Sequence, residues 1–158
     1  MKYALKEWHC NVEALKHGWM DVLVRKGGIL EQKDGFKVEH REFYLFPTYL
    51  HQKSEALNAK FQNKWDELKG TAPSDNSIHM ELYARVEAVH EIKNLEEMKS
   101  WESRHIYSEQ TVSERFHYKN KPGLHVIELK IEVLEKPIVL PNSSAYDGCL
   151  SWVELTSH

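Results

Sequence analysis

Two long stretches of alternating residues constrain this chain more than anything else in it. In SIHMELYARVEAVHEI, residues 77–92, the apolar side chains Ile78, Met80, Leu82, Ala84, Val86, Ala88 and Ile92 recur with a period of two, while Glu81, Arg85, Glu87 and Glu91 fall on the other face. That period belongs to a β-strand, whose successive side chains point to opposite faces of a sheet. LHVIELKIEVLEKPIVLP, residues 124–141, repeats it with Ile127, Leu129, Ile131 and Val133 set against Glu128, Lys130 and Glu132. Pro137 has no amide donor, so the ladder is expected to be interrupted there. One-sided alternation puts one face on a core and the other in water, which implies an antiparallel or mixed sheet rather than a buried parallel one.

The remaining segments supply shorter pieces. WMDVLVRK, residues 19–26, reads as a strand, and QKDGFKVEHREFYLF, residues 32–46, holds an Asp34-Gly35 pair suited to a tight hairpin. ALKEWHCNVEAL, residues 4–15, fits a helical stripe through Leu5, Trp8, Val12 and Leu15 and equally a strand face through Trp8, Cys10, Val12 and Ala14. The strand is the preferred reading, turning back at KHG. A helix is expected from Glu55 to Lys69, with Leu57, Phe61, Trp65 and Leu68 on one face, Ser54 as its N-cap and Gly70 as its terminator. A second should run from Asn94 to Ser103, where Glu97 completes a capping-box pattern, and a short third should begin at Ser108 and bury Val112 and Phe116. Strands and helices in blocks point to an α+β fold: a largely antiparallel, strongly twisted sheet, barrel-like if it closes, with two or three helices. The turn-rich GTAPSDNS, residues 70–77, reads as a loop inside one domain spanning residues 1–158.

Composition narrows the class. A chain of 158 residues suits one core, and no apolar run approaches the ~20 residues of a membrane-spanning helix. Lys6 and Glu7 stand where an export signal needs its apolar centre, so a cytoplasmic location is expected. A net charge of -3 offers no global attraction to a polyanion, and nucleic-acid binding would need a local basic patch. Cys10 and Cys149 are read as free thiols. No zinc or other metal-ligand spacing is present among the scattered histidines and two cysteines, so no metal site is expected, and no cofactor is indicated.

Several polar clusters remain as site candidates. Arg25, Lys26, Gly27 and Gly28 end a strand, but their spacing matches neither a phosphate loop nor a dinucleotide-binding turn, and paired glycines there usually mark a bulge. EHREFYLFPTYLHQK, residues 39–53, mixes Glu39, His40, Arg41, Tyr49, His51 and Gln52 with aromatic residues. That mixture suits a pocket that stacks a planar ligand and hydrogen-bonds its edges, and equally a strand with an aromatic core face. Pro47 should end the strand and leave residues 48–52 on a loop. AYDGCLSWVEL, residues 145–155, carries Cys149 beside Trp152, more simply a buried thiol than a nucleophile. Arg104, His105 and Arg115 could add cations near a helix start. The tripeptide Glu128 to Lys130 matches half of a nuclease metal site, yet alternating charge on a solvated strand gives it by chance.

Taken together, ALKEW, LVRKGGI, FYLFPTYLHQ, SERFHY and KPIVLP followed by YDGCLSWVEL resemble the bacterial family known as domain of unknown function 1802, in the same order over nearly the whole chain. The resemblance implies that Arg25, Lys26, Gly27, Gly28, Pro47, Thr48, Tyr49, His51, Gln52, Arg115, Phe116, Gly148, Cys149, Ser151 and Trp152 hold family positions. Some members are joined to a restriction-endonuclease-like domain, which implies a role near DNA restriction and such a protein as partner. The leading expectation is a nucleic-acid-related binding or accessory module for DNA or RNA, its surface formed by Arg25, Lys26, His51, Gln52 and Arg115, with Tyr49 as a stacking platform. The rivals are an enzyme acting on a small molecule or nucleotide, with His51 as base and Glu39 or Cys149 assisting, and a protein-interaction domain.

Overall fold

A computed structural model describes residues 2–27, 39–148 and 150–155. Among these, β1 (Lys2–Trp8), β2 (Val22–Arg25), β3 (Glu42–Thr48), β4 (Ser77–Ile92), β5 (Leu124–Pro141) and β6 (Trp152–Leu155) form one sheet in the order β2-β5-β4-β3-β1-β6. The two alternating stretches are β4 and β5, paired antiparallel along their lengths. Only β1 and β3 pair in parallel, so the α+β, largely antiparallel architecture holds, although the sheet stays open instead of closing into a barrel. Pro137 interrupts the ladder without ending it. Ile138 pairs with Met80 and Val133 with Leu82, which leaves residues 134–137 opposite Glu81 alone. β3 runs one residue past Pro47, which stands in register with Glu7 of β1, and ends at Thr48, so residues 49–52 lie outside the strand as expected.

The main core fills one face of the sheet. Leu5, Phe43, Leu45, Leu82, Val86 and Ile127 are packed there by α1 (His9–Lys16), α2 (Ala59–Gln62), α3 (Trp65–Leu68) and α4 (Glu109–Phe116) through side chains such as Val12, Leu15, Phe61, Leu68, Val112 and Phe116. A smaller cluster of Ala4, Tyr44, Phe46, Met80, Leu140, Val153 and Leu155 lies apart from it.

Three expectations need correction. The segment after Trp8 is helix α1, not the return arm of a hairpin. Its first turn has no local side-chain cap, and the Cys10 amide instead donates to Gln52 Oε1 at 2.9 Å, a partner 42 residues away. The single helix from Glu55 to Lys69 is three pieces: a 3₁₀ turn over Ser54–Ala56, then α2 and α3. Leu57 leaves helical geometry to bridge Tyr107, fixed by the Asn58 amide on Ile106 O at 2.9 Å and the Ser108 amide on Ala56 O at 3.0 Å. Asn58, not Ser54, supplies the cap, at the start of α2, by accepting from the Phe61 amide. The second helix is a run of 3₁₀ turns over Leu95–Arg104, with Asn94 capping Glu96. The third forms as expected, Ser108 accepting from the Thr111 amide. The Asp34-Gly35 hairpin lies outside the described residues.

Candidate functional site

The open seam of the sheet is where the motif segments meet. β2 is one edge strand and β6 the other, yet Arg25 at the end of β2 reaches β1 and the approach to β6. Its guanidinium donates to Lys6 O at 3.1 Å, to Glu7 Oε1 at 3.0 Å and to Ser151 Oγ at 2.8 Å. The sheet therefore curls until its two edges lie one side chain apart. A cleft of about 980 Å³ runs along this seam.

The floor of the cleft is a charged pair held from behind. Glu7 is 7% exposed, and its second oxygen accepts from Asn11 Nδ2 at 3.1 Å. Asn11 is 1% exposed and also donates to the Tyr107 hydroxyl at 2.5 Å. Arg115 lies with its guanidinium 4.3 Å from the Tyr107 ring centre and 5.4 Å from that of Trp8, and donates to Val24 O at 3.1 Å. Thr48 Oγ1 donates to Glu7 O at 3.2 Å, tying β3 to the same strand end. Burying a carboxylate is costly unless it is paired and hydrogen-bonded, and both oxygens of Glu7 meet that condition.

The walls carry aromatic side chains, and apolar and polar residues share the rim. Trp8, Phe46, Tyr49 and Tyr146 line the cleft. Tyr49 is stacked on His9, their centres 5.0 Å apart and planes 20° off parallel, and His9 Nδ1 is fixed on Leu68 O at 2.9 Å. On the rim, Leu50, Leu150 and Tyr118 are 84%, 68% and 58% exposed.

The cations of the cleft are largely engaged with the protein. Lys26 donates to Phe116 O at 2.7 Å, to Gly123 O at 2.9 Å and to Lys121 O, so it ties the end of α4 to β2. Burial, followed by the charge of Lys121, pushes its ammonium below the ordinary lysine value. Lys6 donates to the carbonyls of Tyr146 and Gly148. Lys119 and Lys121 stay exposed beside Tyr118.

Of the residues singled out in the sequence, Arg25, Lys26, Gly27, Thr48, Tyr49, His51 and Arg115 all line this cleft. Gln52 does not; its carbonyl caps α1 and its amide donates to Lys69 O at 2.6 Å. Trp152 packs edge-on against Phe43, 5.1 Å between centres, while its neighbour Ser151 supplies the cleft. Glu39 sits on the surface beside His40, away from the lining that holds His51. Gly28 and Cys149 lie outside the described residues. Both oxygens of Glu128 have side-chain partners, His90 on one at 2.7 Å and Arg104 on the other at 2.9 Å. Among the described residues no group of three or more His, Cys, Asp or Glu could hold a metal ion, and no helix is long and apolar enough to cross a membrane. Motif spacing alone does not single out Glu7, Asn11 and Tyr107. The available signal is the phase of β1, in which Leu5 and Glu7 share a strand face and so put a carboxylate on the core side.

A family model matches residues 4–158. The chain belongs to the family described as Domain of unknown function (DUF1802). No curated protein matches the sequence. Among solved structures, this DUF1802 chain is similar to ASCH from Zymomonas mobilis, with a TM-score of 0.56, 10% identity, and 98% of this chain and 87% of that one covered. A mutant of the same Zymomonas mobilis protein matches with a TM-score of 0.56 and 12% identity, over 98% of this chain and 90% of that one. At such identity the likeness is one of fold: this member of the DUF1802 family has an ASCH-like α+β architecture.

Proposed function

We propose that the protein is a nucleic-acid-binding module whose seam cleft takes one unpaired base from a single strand while neighbouring bases rest on the rim. The observation that carries this reading is the cleft's construction: a nearly buried Glu7–Arg25 floor under aromatic walls, with Leu50, Tyr118 and Leu150 exposed around it. Bases stack on aromatic and apolar surfaces whatever their sequence, and a nearly buried pair of charged groups is met more readily by a base free of its duplex partner than by one held in a stack. Tyr49, fixed by His9, is the inner stacking platform, and Tyr118 with Lys119 and Lys121 forms the outer one. Because Lys6, Arg25, Lys26 and Arg115 already serve protein acceptors, and because the net charge is -3, phosphate contacts are few. Binding is therefore driven by base contact more than by counterion release. The restriction context implied by the family resemblance would make the polymer DNA.

The test is a fluorescence-anisotropy titration with a labelled ~12-nucleotide strand, as DNA and as RNA, against the matching duplex at two salt concentrations. The expected result is at least tenfold tighter binding of the single strand, with a log–log salt slope no steeper than about -2. Tyr118→Ala, at an exposed position, should weaken binding by about 5-fold to 150-fold, the range of one lost stacking contact. Equal binding of duplex and strand, or no binding of either, rejects the proposal.

A further inference from the structure

The floor of the cleft has hydrogen-bonding capacity that its protein partners do not use. A guanidinium carries five N–H donors and an ionised carboxylate about four acceptor sites. Arg25 directs three donors at Lys6 O, Glu7 Oε1 and Ser151 Oγ. Glu7 receives one donor on each oxygen, from Arg25 and from Asn11. Among the described residues, Arg25 therefore keeps two donors in reserve, and each oxygen of Glu7 keeps an acceptor site. Both residues line the cleft, and Asn11 and Tyr107, themselves buried, hold the Glu7 carboxylate in place.

We infer that this pair reads the pairing edge of the inserted base and that the base is guanine; the inference rests on the single-strand reading of the cleft. A carboxylate with two open acceptor sites is best met by two parallel N–H groups, and a guanidinium beside it by a carbonyl oxygen. Guanine offers that set on one edge: N1–H and the N2 amino group side by side, with O6 next to them. Adenine and cytosine place a single amino group beside a bare ring nitrogen, whose lone pair would face the second oxygen of Glu7. Uracil and thymine place one N–H between two carbonyls, and either carbonyl would oppose the carboxylate. A site built of polar groups rejects an analogue that leaves them unpaired, so the selectivity should be large. Asn11 and Tyr107 act as positioning residues, since they reach the ligand only through Glu7.

The experiment uses the native protein and labelled strands of thymidines carrying one central variable base. Guanine at that position should bind at least tenfold more tightly than adenine, cytosine or thymine. Inosine, which lacks only the N2 amino group, should lose about tenfold relative to guanine. 7-Deazaguanine, altered on the opposite edge, should bind within twofold of guanine. Equal affinity for all four bases overturns the inference while the single-strand reading stands, whereas no binding by any strand overturns the reading itself. A loss with 7-deazaguanine and none with inosine also overturns the inference, because the edge would be the wrong one, and leaves the single-strand reading standing. Glu7→Gln should reduce the preference for guanine to less than threefold; should that variant fail to fold, the inosine comparison on the native protein decides alone.

Discussion

His105 shows how one buried side chain makes the stability of the fold depend on pH. It is 3% exposed, its Nδ1 accepts from the Tyr107 amide at 3.1 Å, and the neutral ring therefore carries its proton on Nε2, which meets no partner among the described residues. Burial, and then the positive charge of Arg115, push its pKa down to about 4. In the unfolded chain the ordinary value is about 6.5. Between these values the unfolded state binds the extra proton, so stability rises with pH there and is lost as pH falls from about 6.5 toward 4. His125, also pushed down by burial, acts in the same direction. The expected loss from His105 is at most about 3 kcal/mol. Urea unfolding at half-unit steps across that window should show it, and His105→Gln should flatten the slope by about one proton. An unchanged slope in the variant would mean that His105 titrates normally in the fold. The loss matters for the cleft because Tyr107, two residues on, holds the hydroxyl that Asn11 binds.

At the scale of elements, the departures of α1 and of residues 55–69 from their local patterns share one cause: partners far along the chain outcompete neighbours. The helical phase of α1 is visible in Val12 and Leu15, but its start is hidden because the cap is Gln52, which lies on a different loop. The apolar face of residues 55–69 is legible, with Leu57, Phe61 and Leu68 buried. Its backbone is not, since the bridge between Leu57 and Tyr107 breaks the helix without changing which side chains face inward. Gly70, expected as a helix terminator, does follow α3 and has φ +62°, and it has a second duty. A Cβ at that position would lie 2.4 Å from the His9 ring, which itself stacks on Tyr49. Gly70→Ala therefore meets both a left-handed backbone and an aromatic ring, and should cost about 1–3 kcal/mol. It should also displace His9 and weaken strand binding at the Tyr49 wall. A denaturation midpoint within error of the native protein's would show that His9 moves aside freely.

For the molecule as a whole, the sheet and its strong twist are legible in the sequence, and the place where its two edges meet is not. Alternation in β4 and β5 follows from local chemistry, which is why the α+β class can be read from residues alone. The cleft depends on how far six strands twist, and that quantity belongs to no single segment. Arg25 is separated from Glu7 by 18 positions and from Ser151 by 126, and the three meet only because the two edges approach. If Arg25 is the staple across this seam, removing one partner leaves a nearly buried charge alone, whereas removing both does not. Arg25→Met should cost about 3 kcal/mol, a value at the low end because the Arg25 side chain keeps 15% exposure against 7% for Glu7. Glu7→Leu with Arg25→Met should cost less than the sum of the single changes, with a coupling of about 1–3 kcal/mol. Urea unfolding of the four proteins measures this cycle. Hydrogen exchange adds the geometric readout: in Arg25→Met the amides of β6 and the end of β2 should lose protection while those in the centre of β4 keep theirs. Additive single changes with unaltered edge protection would mean that the curl is set by packing alone and that Arg25 and Glu7 are held in place for the ligand.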